Sequence, residues 1–87
     1  MTGSILKEAE ELVNGPRAAD YGPVAVNWSR TVTIFEAMTG ISLTAEQGLM
    51  FMVAVKLARE AQKHKRDNLT DAAAYLELAS KIMEGRE

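Results

Sequence analysis

Lys56, Arg59, Asp71 and Tyr75 have the residue types and spacing of a small anion site. Lys56 and Arg59 lie three apart, and Asp71 and Tyr75 four apart, so each pair occupies one face of a helix. Few residues separate the two segments, which predicts an antiparallel helical hairpin with the pairs facing one another. In that arrangement Lys56 and Arg59 bind a phosphate or carboxylate, Asp71 orients them, and Tyr75 stacks or donates a hydrogen bond. The same four side chains also suit a salt-bridged hairpin with Asp67 as its N-cap. Residue type alone leaves both readings open.

The surrounding charge favours an anion. Five of the ten Lys and Arg residues fall between Lys56 and Arg66, against the single carboxylate of Glu60, in a chain of net charge -2. The next helix start adds free amides and a favourable dipole near Asn68, Leu69 and Thr70, although Asp67 competes for those amides. Lys63, Lys65 and Arg66 are expected to form a solvated rim. His64 is the only histidine, which excludes a multi-histidine zinc site and leaves it as a solvated loop side chain or a ligand contact.

A second polar and aromatic cluster, Arg17, Tyr21, Asn27 and Trp28, surrounds a Gly-Pro turn. Trp28 reads as a core residue. Arg17 pairs with Asp20, or else Arg17 and Asn27 recognise a polar ligand whose ring Tyr21 packs against. Glu8-x-x-Glu11 with Asp67 and Asp71 would suit magnesium if the four carboxylates converged, since hard cations take oxygen ligands. Paired glutamates on an exposed helix face are equally ordinary. No residue is assigned a catalytic or metal-binding role, no cofactor is expected, and binding is favoured over catalysis.

The elements that must position these groups are all helical. Ser4 caps a first helix from Ile5 to Asn14, which Gly15, as a left-handed closing residue, and Pro16 stop. Ile5, Leu6, Ala9, Leu12 and Val13 form its apolar stripe. Pro16 to Pro23 form an ordered connection. A second helix runs from Val24 to Thr39 and closes at Gly40, with Trp28, Val32, Phe35 and Met38 toward the core. Thr44-x-x-Gln47 is a capping box for a third helix from Ala45 to Lys63. A fourth begins at Asp67 or Asn68 and ends near Glu84, before Gly85. Leu69, Ala72, Ala73, Leu76, Ala79 and Met83 give it one apolar stripe, and Tyr75, Leu78 and Ile82 a second.

The expected architecture is a single all-α domain over residues 1–87, a compact four-helix unit with a C-terminal antiparallel hairpin. Residues 48–57 are apolar almost all round, and the last helix has two apolar stripes, so part of that surface is expected to meet a second copy in a homo-oligomer. At 87 residues, 47% hydrophobic and 25% charged, the chain is too apolar for disorder, and without cysteine it has no disulfide to compensate for its size. No apolar run approaches the ~20 residues that span a bilayer, and no secretion signal is recognisable, so a cytoplasmic location is expected. A pI of about 5.4 argues against duplex DNA as partner.

The stretches R-A-A-D-Y-G-P-V-A-V-N-W at 17–28, V-K-L-A-R at 55–59 and H-K-R-D-N-L-T-D-A-A-A-Y at 64–75 resemble a small family of phage and prophage proteins. The resemblance covers nearly the whole chain. Its pattern meets Arg17, Tyr21, Gly22, Asn27, Trp28, Lys56, Arg59, Asp67, Asp71 and Tyr75. Ala73 and Ala74 depart from it, since relatives often carry glycine beside the tyrosine. The Tyr-Gly and Asp-x-x-x-Asp-x-x-x-Tyr elements are more weakly similar to a phage domain associated with nucleotide modification, and to all-helical nucleoside triphosphate pyrophosphohydrolases. In the latter, two closely spaced acidic pairs hold magnesium; here the second pair lies far along the chain.

Residues and resemblance together point to a phage-encoded, non-enzymatic protein in the host cytoplasm. It would bind a nucleotide or related phosphorylated small molecule and sequester a host defence signal. The expected ligand-binding set is Arg17, Tyr21, Asn27, Lys56, Arg59, Asp71 and Tyr75. The alternatives are a magnesium-dependent pyrophosphohydrolase-like enzyme and an interaction module whose apolar helix faces bind a host protein.

Overall fold

The computed structural model describes residues 3–86. Five helices run in the order α1 (Ile5–Asn14), α2 (Pro16–Tyr21), α3 (Val24–Thr39), α4 (Ala45–Gln62) and α5 (Arg66–Glu84), with no strand among the described residues. The all-helical expectation holds, with one more helix than the four expected. The addition is α2, a six-residue helix inside the proline-rich connection, with Pro16 in its first turn. A proline there lacks only an N–H that the first turn leaves unpaired in any case.

Capping residues set most of the boundaries. The Ser4 side chain accepts the Leu6 N–H at 3.0 Å and opens α1. Thr44 and Gln47 exchange hydrogen bonds of 3.1 and 2.9 Å across the α4 start. Gly40, at φ 77°, closes α3 by donating its N–H to the Glu36 carbonyl. Gly15 acts differently from the left-handed closing residue expected, because its backbone is extended at φ -83°. Glycine suits it because a Cβ at this position would collide with the Glu11 carbonyl.

The α4–α5 turn also departs from expectation. Helix α5 starts one residue before Asp67, its N-cap position is Lys65, and no side chain of that residue caps it. Glu60 supplies the acceptor instead. Its carboxylate receives the Lys65 N–H at 3.0 Å, the Asn68 side-chain amide at 3.2 Å and His64 Nδ1 at 2.5 Å. These donors, His64 foremost, hold the Glu60 carboxyl below the usual carboxylate range. Asp67 is exposed in the first turn and is not the cap.

Helix α5 is the central element, packed against α4, α1 and, less extensively, α3. Its buried positions are small, Ala72, Ala74 and Ala79 among them, which lets the neighbouring helices approach closely. Leu49 on α4 is the one large side chain almost wholly removed from solvent among the described residues. Helices α3 and α4 meet at Gly48, where a Cβ would come within 2.8 Å of Val32 Cγ1 and 3.2 Å of Trp28 Cε3. Several residues expected in the core lie outside it: Leu6, Met38, Leu76 and Met83 are exposed. Phe51 and Met50 on α4 are exposed as well.

Candidate functional site

Asp71, Ala74, Tyr75 and Leu78 occupy one face of α5 by their helical spacing, and this face forms one wall of a cleft of about 410 Å³. The start of α3 also lines it, where Val24, Asn27 and Trp28 fall three and four apart. Leu12 and Val13 of α1 contribute apolar surface, and Tyr21 joins from the end of α2. Gly22, at φ 75°, turns the chain from α2 toward α3 in a conformation that costs glycine nothing. Tyr21, Asn27 and Trp28 from one of the polar clusters read separately in the sequence, and Asp71 and Tyr75 from the other, therefore line one cleft.

The aromatic rings organise its interior. Trp28 and Tyr75 pack edge to face, with centroids 6.2 Å apart and planes at 87°, the arrangement favoured by the ring quadrupoles. Trp28 is half-buried rather than fully enclosed, and it lines the cleft as well as supporting the core. Tyr21 is exposed, whereas Asn27 and Tyr75 are half-buried.

Charge is distributed differently from the sequence expectation. Lys56 Nζ lies 2.8 Å from Asp71 Oδ2, and the two side chains are 15% and 33% exposed. The lysine side chain is thus the more buried of the two, and it is Asp71, not Lys56, that lines the cleft. Arg59 is exposed and outside the cleft lining. Arg17 belongs to α2, and its side chain lies outside the described residues. Of the seven expected ligand-binding residues, Tyr21, Asn27, Asp71 and Tyr75 line the cleft, and Lys56 touches it through Asp71.

A second recess, of about 520 Å³, is lined by Glu8, Glu11, Asp67, Thr70 and Asp71 among others. The four carboxylates considered for magnesium thus share one concavity. Two of them are engaged by cations: Asp71 by Lys56, and Glu8 by Arg66. Arg66 Nε donates to both Glu8 carboxylate oxygens at 3.2 and 3.0 Å, while Nη2 donates to Glu8 at 2.5 Å and to the Gly3 carbonyl at 2.6 Å. This fork holds the Glu8 carboxyl below its usual range and raises the Arg66 guanidinium. Thr70 Oγ1 is buried beside them with no hydrogen bond of ordinary geometry, leaving it at most a weak part in keeping Glu8 ionised. No three His, Asp or Glu side chains among the described residues are arranged to hold a metal ion.

Arg66 and Glu60 are the residues whose importance the sequence concealed. Arg66 is half-buried and ties α5 to α1 instead of joining a solvated rim. Glu60 organises the turn that places α5 against α4. Its i,i+4 relation to His64 was the available signal. Nothing local marks the Arg66 partner, which lies 58 residues earlier.

No helix among the described residues is long and apolar enough to cross a membrane. The chain is 36% identical over 81 residues to the Gene 55 protein of Mycobacterium phage L5, covering 91% of this chain and 52% of that protein. It is 29% identical over 85 residues to the Gene 55 protein of Mycobacterium phage D29, covering 97% of this chain and 56% of the relative. The chain therefore spans about half the length of these phage proteins. No solved structure matches it. The family model for the domain of unknown function DUF6378 matches residues 4–83, and the chain belongs to that family.

Proposed function

We propose that this domain is a phage-encoded binding module for a nucleotide or related phosphorylated small molecule. The observation that carries the reading is the single cleft that Tyr21 and Asn27 line together with Asp71 and Tyr75. A largely apolar concavity with a few convergent polar groups is the usual form of a small-molecule site. Its volume is within the range that accepts a nucleoside-sized ligand. A ring enters against Trp28, Tyr75 and Tyr21, and a phosphorylated tail extends outward toward solvent. The phage relatives suggest the setting. A ligand held in the host cytoplasm without being transformed is withdrawn from host use, as a defence signal would be.

The test is denaturation of protein purified from cells, mass spectrometry of what is released, and thermal melting across a panel of nucleotides and cyclic nucleotides. Ligand at 100 times Kd stabilises by about 2.7 kcal/mol. In a chain of this size that raises Tm by roughly 10 °C or more. An unchanged Tm across the panel, with no released small molecule, contradicts the proposal.

A second reading, a magnesium-dependent nucleotide hydrolase, draws support from the shared recess of Glu8, Glu11, Asp67 and Asp71. It requires the Arg66–Glu8 and Lys56–Asp71 pairs to open when the ion enters. Phosphorus NMR of nucleoside triphosphates incubated with protein and magnesium decides it, since hydrolysis releases pyrophosphate or phosphate and simple binding does not.

A further inference from the structure

The polar groups facing the cleft have a definite chemical bias. Asp71 is its one charged lining residue among those described, and it is an acid. Lys56 occupies Oδ2 of that carboxylate, and no described residue engages Oδ1. Asn27 and Tyr75 also line the cleft, and no described residue makes a hydrogen bond to the Asn27 side-chain amide or the Tyr75 hydroxyl. A phosphate placed here would meet a carboxylate first, and could reach Lys56 only by displacing it. A ring edge rich in N–H donors meets the opposite situation, because an ionised carboxylate accepts two parallel hydrogen bonds readily.

Resting on the proposal that the cleft binds a nucleotide, we infer that it receives the base rather than the phosphate. The base it selects has a ring N–H beside an amino group, the edge that guanine presents. Asp71 accepts both hydrogens, since each carboxylate oxygen has two acceptor positions and Oδ2 can serve Lys56 at the same time. Asn27, able to donate and accept, meets another polar edge of the ring. The aromatic pair and the aliphatic walls from α1 and α3 enclose its faces. Lys56 is a positioning residue: its contact with Oδ2 holds the Asp71 side chain aimed without touching the ligand. Adenine presents an acceptor nitrogen beside its amino group, which sets a lone pair against the carboxylate and is disfavoured.

Isothermal titration calorimetry of the full chain with guanosine, adenosine, guanosine monophosphate and inorganic phosphate tests this. Guanosine and its monophosphate are expected to bind within threefold of one another, with adenosine at least tenfold weaker and inorganic phosphate showing no binding at the cleft. Asp71→Asn is expected to lose at least tenfold for guanosine and to narrow the difference from adenosine. The paired variant Lys56→Gln with Asp71→Asn repeats the measurement without an unpaired half-buried lysine, so a folding defect in the single variant does not obscure the result. Nucleotide binding that ignores the base, survives both substitutions or is matched by inorganic phosphate overturns the inference while leaving nucleotide binding intact. Absence of binding by every nucleoside and nucleotide overturns both proposals.

Discussion

Lys56 on α4 reaches Asp71 on α5 with Nζ 2.8 Å from Oδ2, and the lysine is the more buried of the two. The contact crosses the hairpin between the two most extensively packed helices and ends at the wall of the cleft. One ion pair therefore connects the packing of the domain to the chemistry of its candidate site. Its energetics follow from its placement, since a partly buried pair is costly to break from one side only.

Lys56→Met is expected to destabilise the domain by about 1–3 kcal/mol, below the range for fully buried pairs because Asp71 keeps solvent contact. Replacing both partners, Lys56→Met with Asp71→Leu, is expected to recover part of that loss. Urea denaturation of the two single variants and the double variant gives the coupling directly. Additive losses would mean that the pair contributes nothing beyond its separate side chains.

Gly48→Ala sets helix propensity against packing. Alanine gains about 1 kcal/mol over glycine within a helix. The added methyl, however, meets Val32 Cγ1 at 2.8 Å and the Trp28 ring at 3.2 Å. Overpacking of this kind costs about 1–3 kcal/mol, so a net loss of roughly 1 kcal/mol is expected by thermal or urea unfolding. A stabilised variant would show that α3 shifts freely against α4.

Acid stability is expected to depend on Glu60 and Glu8, whose carboxyls are held below their usual range in the folded chain. A depressed carboxyl binds protons less readily when folded, so its stabilisation is fully present above the unfolded value of about 4.3 and fades as pH falls through the folded value. The urea midpoint of the parent is thus expected to fall below about pH 4.5. Glu60→Gln is expected to flatten part of that fall and to speed hydrogen exchange at the Lys65 amide, which Glu60 accepts at 3.0 Å. An unchanged acid profile and an unchanged Lys65 exchange rate would remove Glu60 from the turn.

Arg66→Lys is expected to loosen α1 even though it keeps the charge. A lysine cannot reproduce the fork that reaches both Glu8 oxygens and the Gly3 carbonyl. Hydrogen exchange in α1 should accelerate while the α4–α5 hairpin stays protected. Equal acceleration throughout would indicate global destabilisation instead.

Local signals in the sequence specify much of this structure. Ser4, the Thr44–Gln47 box and Gly40 act on their own backbone neighbours, and the helix ends they predict agree with those found. Helix α2 was hidden because proline and glycine at both its ends give a turn signature, while six residues are too few to establish a helical period. Asp67 looked like a cap because it is an acid near a helix start, but Glu60, folding back from α4, already fills that role. Met38, Leu76 and Met83 lie at core spacing, yet no neighbouring helix covers them. At the site, the spacing of Asp71, Tyr75 and Leu78 correctly placed them on one face. The depth of Lys56 relative to Asp71 depends on side-chain packing across the hairpin, which spacing does not encode.

The most direct test of the central claim, that both polar clusters serve one ligand site, is nitrogen-15 NMR of the labelled chain titrated with guanosine monophosphate. Saturable shifts are expected together at Tyr21, Asn27, Asp71 and Tyr75, on α2, α3 and α5, with α4 around Phe51 unchanged. Shifts confined to the exposed basic residues Arg59, Lys63 and Lys65, or no saturable shift at all, would contradict it.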